Sequence, residues 1–256
     1  MNTPQYLAHA VLRRRRLVPV ALAAVAMGTL GFASGAGAAP SPVVGGSGVI
    51  SNAAGASTQL AGYQVAPSGG LASANVTFTV PTITCTSADK TDIADMFDGV
   101  FTADVDVDAL VESYCTSTGT HTDFFVSTPG GSLTEPGPAP GDTVVASMFQ
   151  SGTGTGANVH DVTSGAYWFE DDSANVGDTT IDIGSLNQFQ LTNSPVPTFT
   201  KVHFSNATVN GDYLGFTGVG AAQFNDLNGG DLLIKSGALS TTGAGTTFAD
   251  TFKHAS

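Results

Sequence analysis

The feature that most constrains this fold is a series of short runs in which apolar and polar residues alternate. Alternation with a period of two places the apolar side chains on one face of a β-strand. The runs are rich in β-branched and aromatic residues, and they include "ANVTFTV", "HTDFFVS", "DTVVASMFQ", "TTIDIGSL" and "FTKVHFSNATV". Turn signals such as "PSGG", "TPGG", "SGTGTG" and "DLNGGD" separate them. The pattern predicts an all-β protein, an antiparallel two-sheet β-sandwich.

Helical and repetitive patterns are scarce. Only the segments "TSADKTDIADMFDG" and "DVDALVESY" have a composition that would allow helical turns, and no βα unit recurs. Residues 39–58 are rich in Gly, Ser and Ala, as expected of a flexible lead-in. We therefore expect one β-sandwich domain over residues 59–256, a size that all-β domains commonly reach.

The N-terminal segment has the pattern of a secretory signal. The cluster Arg13–Arg16 is followed by the apolar stretch "LVPVALAAVAMGTLGF", and Ala36 and Ala38 fit the positions that signal peptidase reads. A retained membrane anchor is the alternative, but the apolar stretch is shorter than the roughly 20 residues a span needs. Residues 1–38 are therefore predicted to be a cleaved signal peptide, which makes the protein secreted and leaves no membrane span.

The charge balance of the exported chain excludes several partners. Removing the signal leaves four lysines and no arginine against all 21 acidic residues. Such a chain has no basic patch for nucleic acid. It also lacks the guanidinium groups usually used to bind phosphate. No motif indicates a cofactor, so none is expected.

Two cysteines, Cys85 and Cys115, remain in a chain predicted to reach an oxidising compartment. A disulfide between them would close a loop of about 30 residues. A zinc pair or a catalytic thiol is the alternative, but no His or further Cys lies at ligand spacing from either residue. The disulfide is the prediction.

In chain order, several segments resemble the glutamic peptidase (eqolisin) family, particularly its bacterial secreted branch. "QLAGYQV" resembles the family's opening N-W-A-G-Y, and "ASANVTFTVPTITCTS" resembles its first core strand with the V-P-T turn. "PGDTVVASMF" is similar to its G-D-x-x-x-A-S-V strand, and "VHFSNATVNG" to V-T-F-T-N-A. The resemblance covers about residues 58–252. It implies a concanavalin A-like sandwich with a substrate groove across one curved face, and it also pairs the two cysteines.

When the chain is matched to the family position by position, the resemblance implies that both catalytic residues have been replaced. The family uses a glutamate as general base on a water and a glutamine to hold the oxyanion. The family's strand A-E-x-I-V-E matches "TTIDIG", which puts Thr180 at the glutamate, and Asp108 falls at the glutamine. A threonine hydroxyl is not a general base at neutral or acidic pH. We therefore expect a non-catalytic protein.

The resemblance also assigns a binding groove that has lost most of its large aromatic residues. Its positions are Leu60, Phe97, Phe124, Val126 and Thr128. A groove without its catalytic base can still bind a ligand such as a peptide or a polysaccharide. We therefore predict a binding module or a cell-surface structural module. The sequence does not indicate an oligomeric state.

An acid-acting endopeptidase is the alternative. Asp182 lies two residues beyond Thr180, on the same strand face. Asp108 and Asp182 would then share a proton, as paired carboxyls in aspartic proteases do. The plainer interpretation, which we favour, is two solvated aspartates on an exposed sheet.

An acidic run offers a further candidate site. It contains Asp89, Asp92, Asp95, Asp98, Asp104, Asp106 and Asp108. Carboxylates at this density could hold calcium, but the run lacks the glycine and the closing glutamate of a calcium loop. The histidines His121, His160 and His203 show no ligand spacing. We expect an acidic solubilising surface and no metal.

Overall fold

The computed structural model describes residues 55–57, 60–87, 94–102, 107–152, 154–177, 179–186, 196–214, 221–228, 231–240 and 247–253. The predicted signal peptide and most of the predicted lead-in lie outside these residues. All regular elements of the described chain are β-strands. None of its segments is a helix of the length and hydropathy needed to cross a bilayer.

The strands are short, as the alternating runs predict. The first nine are β1 Gly55–Ser57, β2 Leu60–Val65, β3 Ser73–Thr79, β4 Ile83–Thr84, β5 Asp95–Thr102, β6 Asp108–Thr116, β7 Gly119–Thr128, β8 Gly131–Pro136 and β9 Thr143–Ser151. The others are β10 Gly154–Asp161, β11 Tyr167–Asp172, β12 Ile181–Leu186, β13 Thr198–Phe199, β14 Val202–Val209, β15 Asp212–Tyr213, β16 Ala222–Asn228, β17 Asp231–Ser236 and β18 Phe248–Phe252.

The strands form one large sheet and one small sheet. Along the large sheet the order is β11-β10-β9-β3-β14-β18-β17-β16-β2-β12-β5-β6-β7-β8, and every pair on this path is antiparallel. β1 adds to β16 in parallel, β15 adds to β14, and β13 pairs with β4 in the small sheet. The all-β prediction is confirmed.

The large sheet folds over on itself to give two layers. β10 and β11 pack on β7, and β3 and β9 pack on β5. Between the layers, the rings of Phe124 on β7 and Trp168 on β11 stack with centroids 3.8 Å apart. The main core lies in this space and includes Tyr63, Val76, Phe78, Met96, Val111, Met148, Ile183 and Phe204. Burial of this apolar surface is the main stabilising contribution.

The structure also bears on the disulfide, on the two segments of helical composition and on the predicted lead-in. The disulfide between Cys85 and Cys115 is present, with Cα atoms 5.7 Å apart. Of the two segments that allowed helical turns, residues 95–99 belong to β5 and residues 108–114 to β6, and these strands pair with each other; residues 88–93 and 106 lie outside the described residues. Gly55–Ser57, within the predicted lead-in, pairs with β16 through backbone hydrogen bonds, which need no alternating pattern.

Candidate functional site

The outer face of one layer carries a second apolar cluster, separate from the main core. This outer-face cluster consists of Leu60, Phe97, Phe101, Leu110 and Leu186, with Phe125 and Phe224 partly buried against it. Because successive side chains of a strand point to opposite faces, Phe97 and Phe101 face outward while Met96 and Val100 on the same strand enter the main core. The layer therefore has apolar side chains on both faces.

The strand register arranges this face in three rows across β2, β12, β5, β6 and β7. Row A is Leu60–Leu186–Phe97–Glu112–Asp123. Row B is Gly62–Gly184–Gly99–Leu110–Phe125. Row C is Gln64–Asp182–Phe101–Asp108–Ser127. The rows bring together residues that are far apart in sequence.

Three glycines in row B adopt a backbone conformation that other residues rarely adopt. Gly62, Gly99 and Gly184 have φ of 148°, 156° and 151°. A Cβ on any of them would lie 2.2 or 2.3 Å from a carbonyl oxygen of the neighbouring strand. Only glycine fits there. The absence of side chains in this part of row B lets Phe97 and Phe101, on either side of Gly99, join one cluster.

Three carboxyl groups lie beside the apolar rows. We call Asp95, Glu112 and Asp123 the acidic group. Glu112 and Asp123 end row A, and Asp95 begins the next row, Asp95–Tyr114–His121. The Tyr114 hydroxyl donates a hydrogen bond of 2.9 Å to Asp123 Oδ2, and the Tyr114 ring stacks on His121. Asp95 belongs to the acidic run considered as a calcium site from the sequence, whereas no sequence pattern indicated Glu112 or Asp123 as site residues.

The electrostatics of the acidic group are unusual. Burial, reinforced by the charge of Glu112, raises the pKa of Asp95 to about 7. Burial, reinforced by the charge of Asp123, raises the pKa of Glu112 to about 7. Perturbed carboxyls on an apolar face mark candidate functional sites.

The residues assigned to the lost catalytic pair lie apart from row A. Thr180 precedes the first residue of β12, whereas Asp108 is in row C. Asp182 and Asp108 share row C and one face, with Phe101 between them. Two strand spacings separate their Cα atoms, about 9–10 Å. Asp108 Oδ2 accepts a 2.7 Å hydrogen bond from Ser127 on the side away from Asp182.

The predicted groove residues divide between the two faces. Leu60 and Phe97 belong to the outer-face cluster. Phe124 and Val126 belong to the main core, and Thr128 has the same parity on β7. The grouping of all five on one face is therefore corrected, because in the run "DFFV" the other phenylalanine, Phe125, faces outward.

The expected solvated acidic surface is wrong for the described aspartates. Asp95, Asp98 and Asp108 are each at most 4% exposed, and Asp182 is 7% exposed. Asp95 and Asp98 are three residues apart on β5 and so lie on opposite faces, which prevents a shared cation. The other aspartates of the run, Asp89, Asp92, Asp104 and Asp106, lie outside the described residues. Within the described residues, no group of three His, Cys, Asp or Glu could hold a metal ion.

A second pair of acids lies inside the sandwich. The Ser185 hydroxyl donates a 2.7 Å hydrogen bond to Asp98 Oδ1, and the Ser185 backbone N–H donates one of 3.0 Å to Asp250 Oδ2. Both aspartates are fully buried. Burial raises the pKa of Asp98 to about 7 and holds the pKa of Asp250 well above its usual value. This core acid pair faces away from the acidic group.

A separate open depression of about 480 Å³ lies over β3, β14 and β18. Hydroxyl-bearing residues and His203 line much of it, with Thr77, Thr143, Ser205 and Thr247 among them. None of its described lining residues carries a carboxyl group.

Comparison with known proteins supports the fold. No protein-family model and no curated protein matches the sequence. Among solved structures, scytalido-glutamic peptidase with a peptide-based transition-state analogue matches with a TM-score of 0.56 and 17% identity, over 77% of this chain and 98% of that one. SCP-B, an eqolisin peptidase in complex with the tripeptide Ala-Ile-His, matches with a TM-score of 0.55, 17% identity and the same coverage. The chain therefore has the β-sandwich fold of the eqolisin glutamic peptidases.

Proposed function

We propose that this chain is an exported, glutamic-peptidase-like protein that binds peptide segments on its outer face without cleaving them. The observation that supports it most is the outer-face cluster, which lies outside the main core and has partly exposed phenylalanines, Phe125 and Phe224, at its margin. The five buried members of the cluster are at most 8% exposed, so a ligand would reach it at Phe125 and Phe224. Apolar clusters with a few convergent polar groups are typical of ligand sites. The disulfide supports export, because disulfides persist in oxidising compartments.

The chemistry of the face argues against glutamic-peptidase catalysis. That mechanism needs an ionised carboxylate and an amide within reach of one water. In row A the strand neighbours of Glu112 are Phe97 and Asp123, and neither carries an amide. With pKa values of about 7, Glu112 and Asp95 hold their protons in acid and cannot act as bases there.

An acid-acting endopeptidase that uses Asp108 and Asp182 is the second candidate. It is supported by the position of both residues in row C, on the face that carries the outer-face cluster. Catalysis by a proton-sharing pair would require the two carboxyls to approach within hydrogen-bond distance, about 2.5–3 Å. They would have to do so past the ring of Phe101.

A polysaccharide is the alternative ligand, and a different surface supports it. Tyr167 and Phe169 on the edge strand β11 are 58% and 40% exposed. Phe169 stacks parallel to Phe149, with ring centroids 6.0 Å apart. Exposed flat rings of this kind offer stacking surfaces to sugar rings.

A pair of matched variants tests these functions. The exported protein is screened against a peptide array and a glycan array, next to Phe125→Ser and Phe169→Ser. We expect peptide binding that Phe125→Ser abolishes and Phe169→Ser preserves. Binding of glycans alone, abolished by Phe169→Ser, would replace peptide with polysaccharide as the ligand.

Cleavage is measured on the same protein. A denatured protein substrate is incubated with it from pH 3 to pH 8, and new termini are sought by mass spectrometry. We expect none. Cleavage that disappears in both Asp108→Asn and Asp182→Asn would establish the endopeptidase instead.

A further inference from the structure

We propose that the acidic group on the outer face binds the cationic side chain of a peptide, a lysine or an arginine, whose neighbouring apolar residue contacts the outer-face cluster. This inference rests on the proposed peptide-binding function and adds the class of peptide. The acidic group and the cluster are continuous, because Phe97 and Glu112 are direct neighbours in row A.

The geometry provides one site from three adjacent strands. Asp95 comes from β5, Glu112 from β6 and Asp123 from β7, and all three face outward. Glu112 and Asp123 are cross-strand partners, so their Cβ atoms are about 5 Å apart. Like charges directly opposite each other destabilise a sheet. A cation placed between them removes that repulsion.

A second observation, separate from the number of acidic residues, also indicates a ligand: one carboxyl oxygen of Asp95 has no hydrogen-bond partner. Asp95 is 1% exposed, and its Oδ1 is buried without a hydrogen-bond partner. A buried acceptor without a partner is costly. Glu112 and Asp123 are only half-buried, so a ligand reaches them from solvent, and Asp95, buried on the same face, interacts electrostatically with Glu112.

Among the described residues, the groups around the site provide no counter-charge; Lys90 lies outside them. The charge acting on Asp95 is that of Glu112, and the charge acting on Glu112 is that of Asp123. On β6 and β7, the Tyr114 hydroxyl donates a hydrogen bond to Asp123. The His121 Nε2 atom lies 3.0 Å from the Thr118 hydroxyl oxygen, within hydrogen-bond distance. Along row A the acids are flanked by neutral residues, Phe97 on one side and Pro136, the partner of Asp123 on β8, on the other. The complementary ligand is therefore a cation.

Proton linkage makes the interaction depend on pH. Asp95 and Glu112, each with a pKa of about 7, are protonated in the free protein at pH 5. A bound ammonium or guanidinium group favours their ionised forms, so binding releases protons. Affinity for a cationic peptide should rise between pH 5 and pH 7.5, whereas affinity for a neutral peptide should change little.

The test uses two fluorescent peptides that differ in one side chain. One contains Leu-Lys-Leu and the other Leu-norleucine-Leu, each within the same blocked sequence. Their dissociation constants for the exported protein are measured by anisotropy at pH 5 and pH 7.5. We expect the lysine peptide to bind about 10-fold more tightly than its twin at pH 7.5, and the preference to shrink at pH 5.

Two variants separate a specific site from general attraction to an acidic protein. Glu112→Gln keeps the shape of the side chain and should remove most of the preference. Asp212→Asn removes one exposed charge on β15, in the other layer, and should keep it. Calorimetry in buffers of different ionisation enthalpy should show proton release with the lysine peptide alone.

The outcomes distinguish this inference from the function on which it rests. Equal binding of the two peptides at pH 7.5 would overturn the cation site and leave the peptide-binding function standing. A lysine preference that both variants reduce equally would mean bulk electrostatic attraction, which also overturns it. Binding of neither peptide would overturn the peptide-binding function, and the cation site with it.

Discussion

The core acid pair makes the stability of this fold depend on pH, and Asp98→Asn tests the reason. Asp98 is fully buried, and burial raises its pKa to about 7. Because the folded chain binds this proton more tightly than the unfolded chain does, stability falls as pH rises. The protonated carboxyl makes its full contribution to the free energy of unfolding below about pH 4. This contribution is lost progressively up to about pH 7, and little changes above that.

The size of the effect follows from the shift. The pKa of Asp98 rises from 3.8 to about 7, roughly three units, and each unit corresponds to 1.36 kcal/mol, so Asp98 alone accounts for about 4 kcal/mol between pH 4 and pH 7.5. An asparagine cannot ionise. The free energy of unfolding of Asp98→Asn should therefore change by about 4 kcal/mol less over this range than that of the wild type. At pH 4 the variant should be equal or slightly less stable, since the Ser185 hydroxyl still finds an oxygen acceptor.

The assay is urea unfolding at several pH values, followed by the fluorescence of Trp168, the one tryptophan of the chain. Its ring stacks on Phe124 between the layers, so it reports loss of the core. Asp212→Asn, at an exposed position, is the control and should follow the wild type. If the curves for Asp98→Asn and wild type ran parallel from pH 4 to pH 7.5, Asp98 would not hold a proton in the core and the reasoning would be refuted.

Two further predictions concern the scaffold. Gly184→Ala places a Cβ 2.2 Å from the carbonyl oxygen of Ala61 at a positive φ, and should cost on the order of 3 kcal/mol in urea unfolding. Gly152→Ala, where a Cβ meets nothing within 4 Å, should cost far less; similar losses would contradict the steric argument. Reducing the disulfide should lower the free energy of unfolding by about 3–4 kcal/mol, seen as a lower urea midpoint. An unchanged midpoint would mean that the loop it closes is already ordered in the unfolded chain.

The strands and the disulfide could be predicted from the sequence because both depend on local patterns. Alternation reveals β3, β7 and β9 directly, and two cysteines allow one pairing. Which face of a strand enters the core is different. On β7 the adjacent Phe124 and Phe125 both find apolar neighbours, so the pattern does not distinguish inside from outside.

The polar sites could not be predicted, because they are formed by register between distant strands. Asp98 and Ser185 are 87 residues apart and meet only because β5 pairs with β12. Glu112 becomes a neighbour of Phe97 through the pairing of β5 with β6. Leu60 and Phe97, which the resemblance named together, both lie in the outer-face cluster, but the resemblance offered no guide to the carboxyls between strands.

The three glycines of row B have a consequence for recognising relatives of this chain. Each of its three glycines lies two residues from an apolar member of row A: Leu60 with Gly62, Phe97 with Gly99, and Leu186 with Gly184. The glycines are required by steric contact with neighbouring backbone, not by any chemistry at the site. A protein can therefore change or lose its catalytic groups while this six-residue pattern persists. Searching structures for three such pairs on adjacent antiparallel strands should find proteins of this architecture that motif searches based on active-site residues overlook.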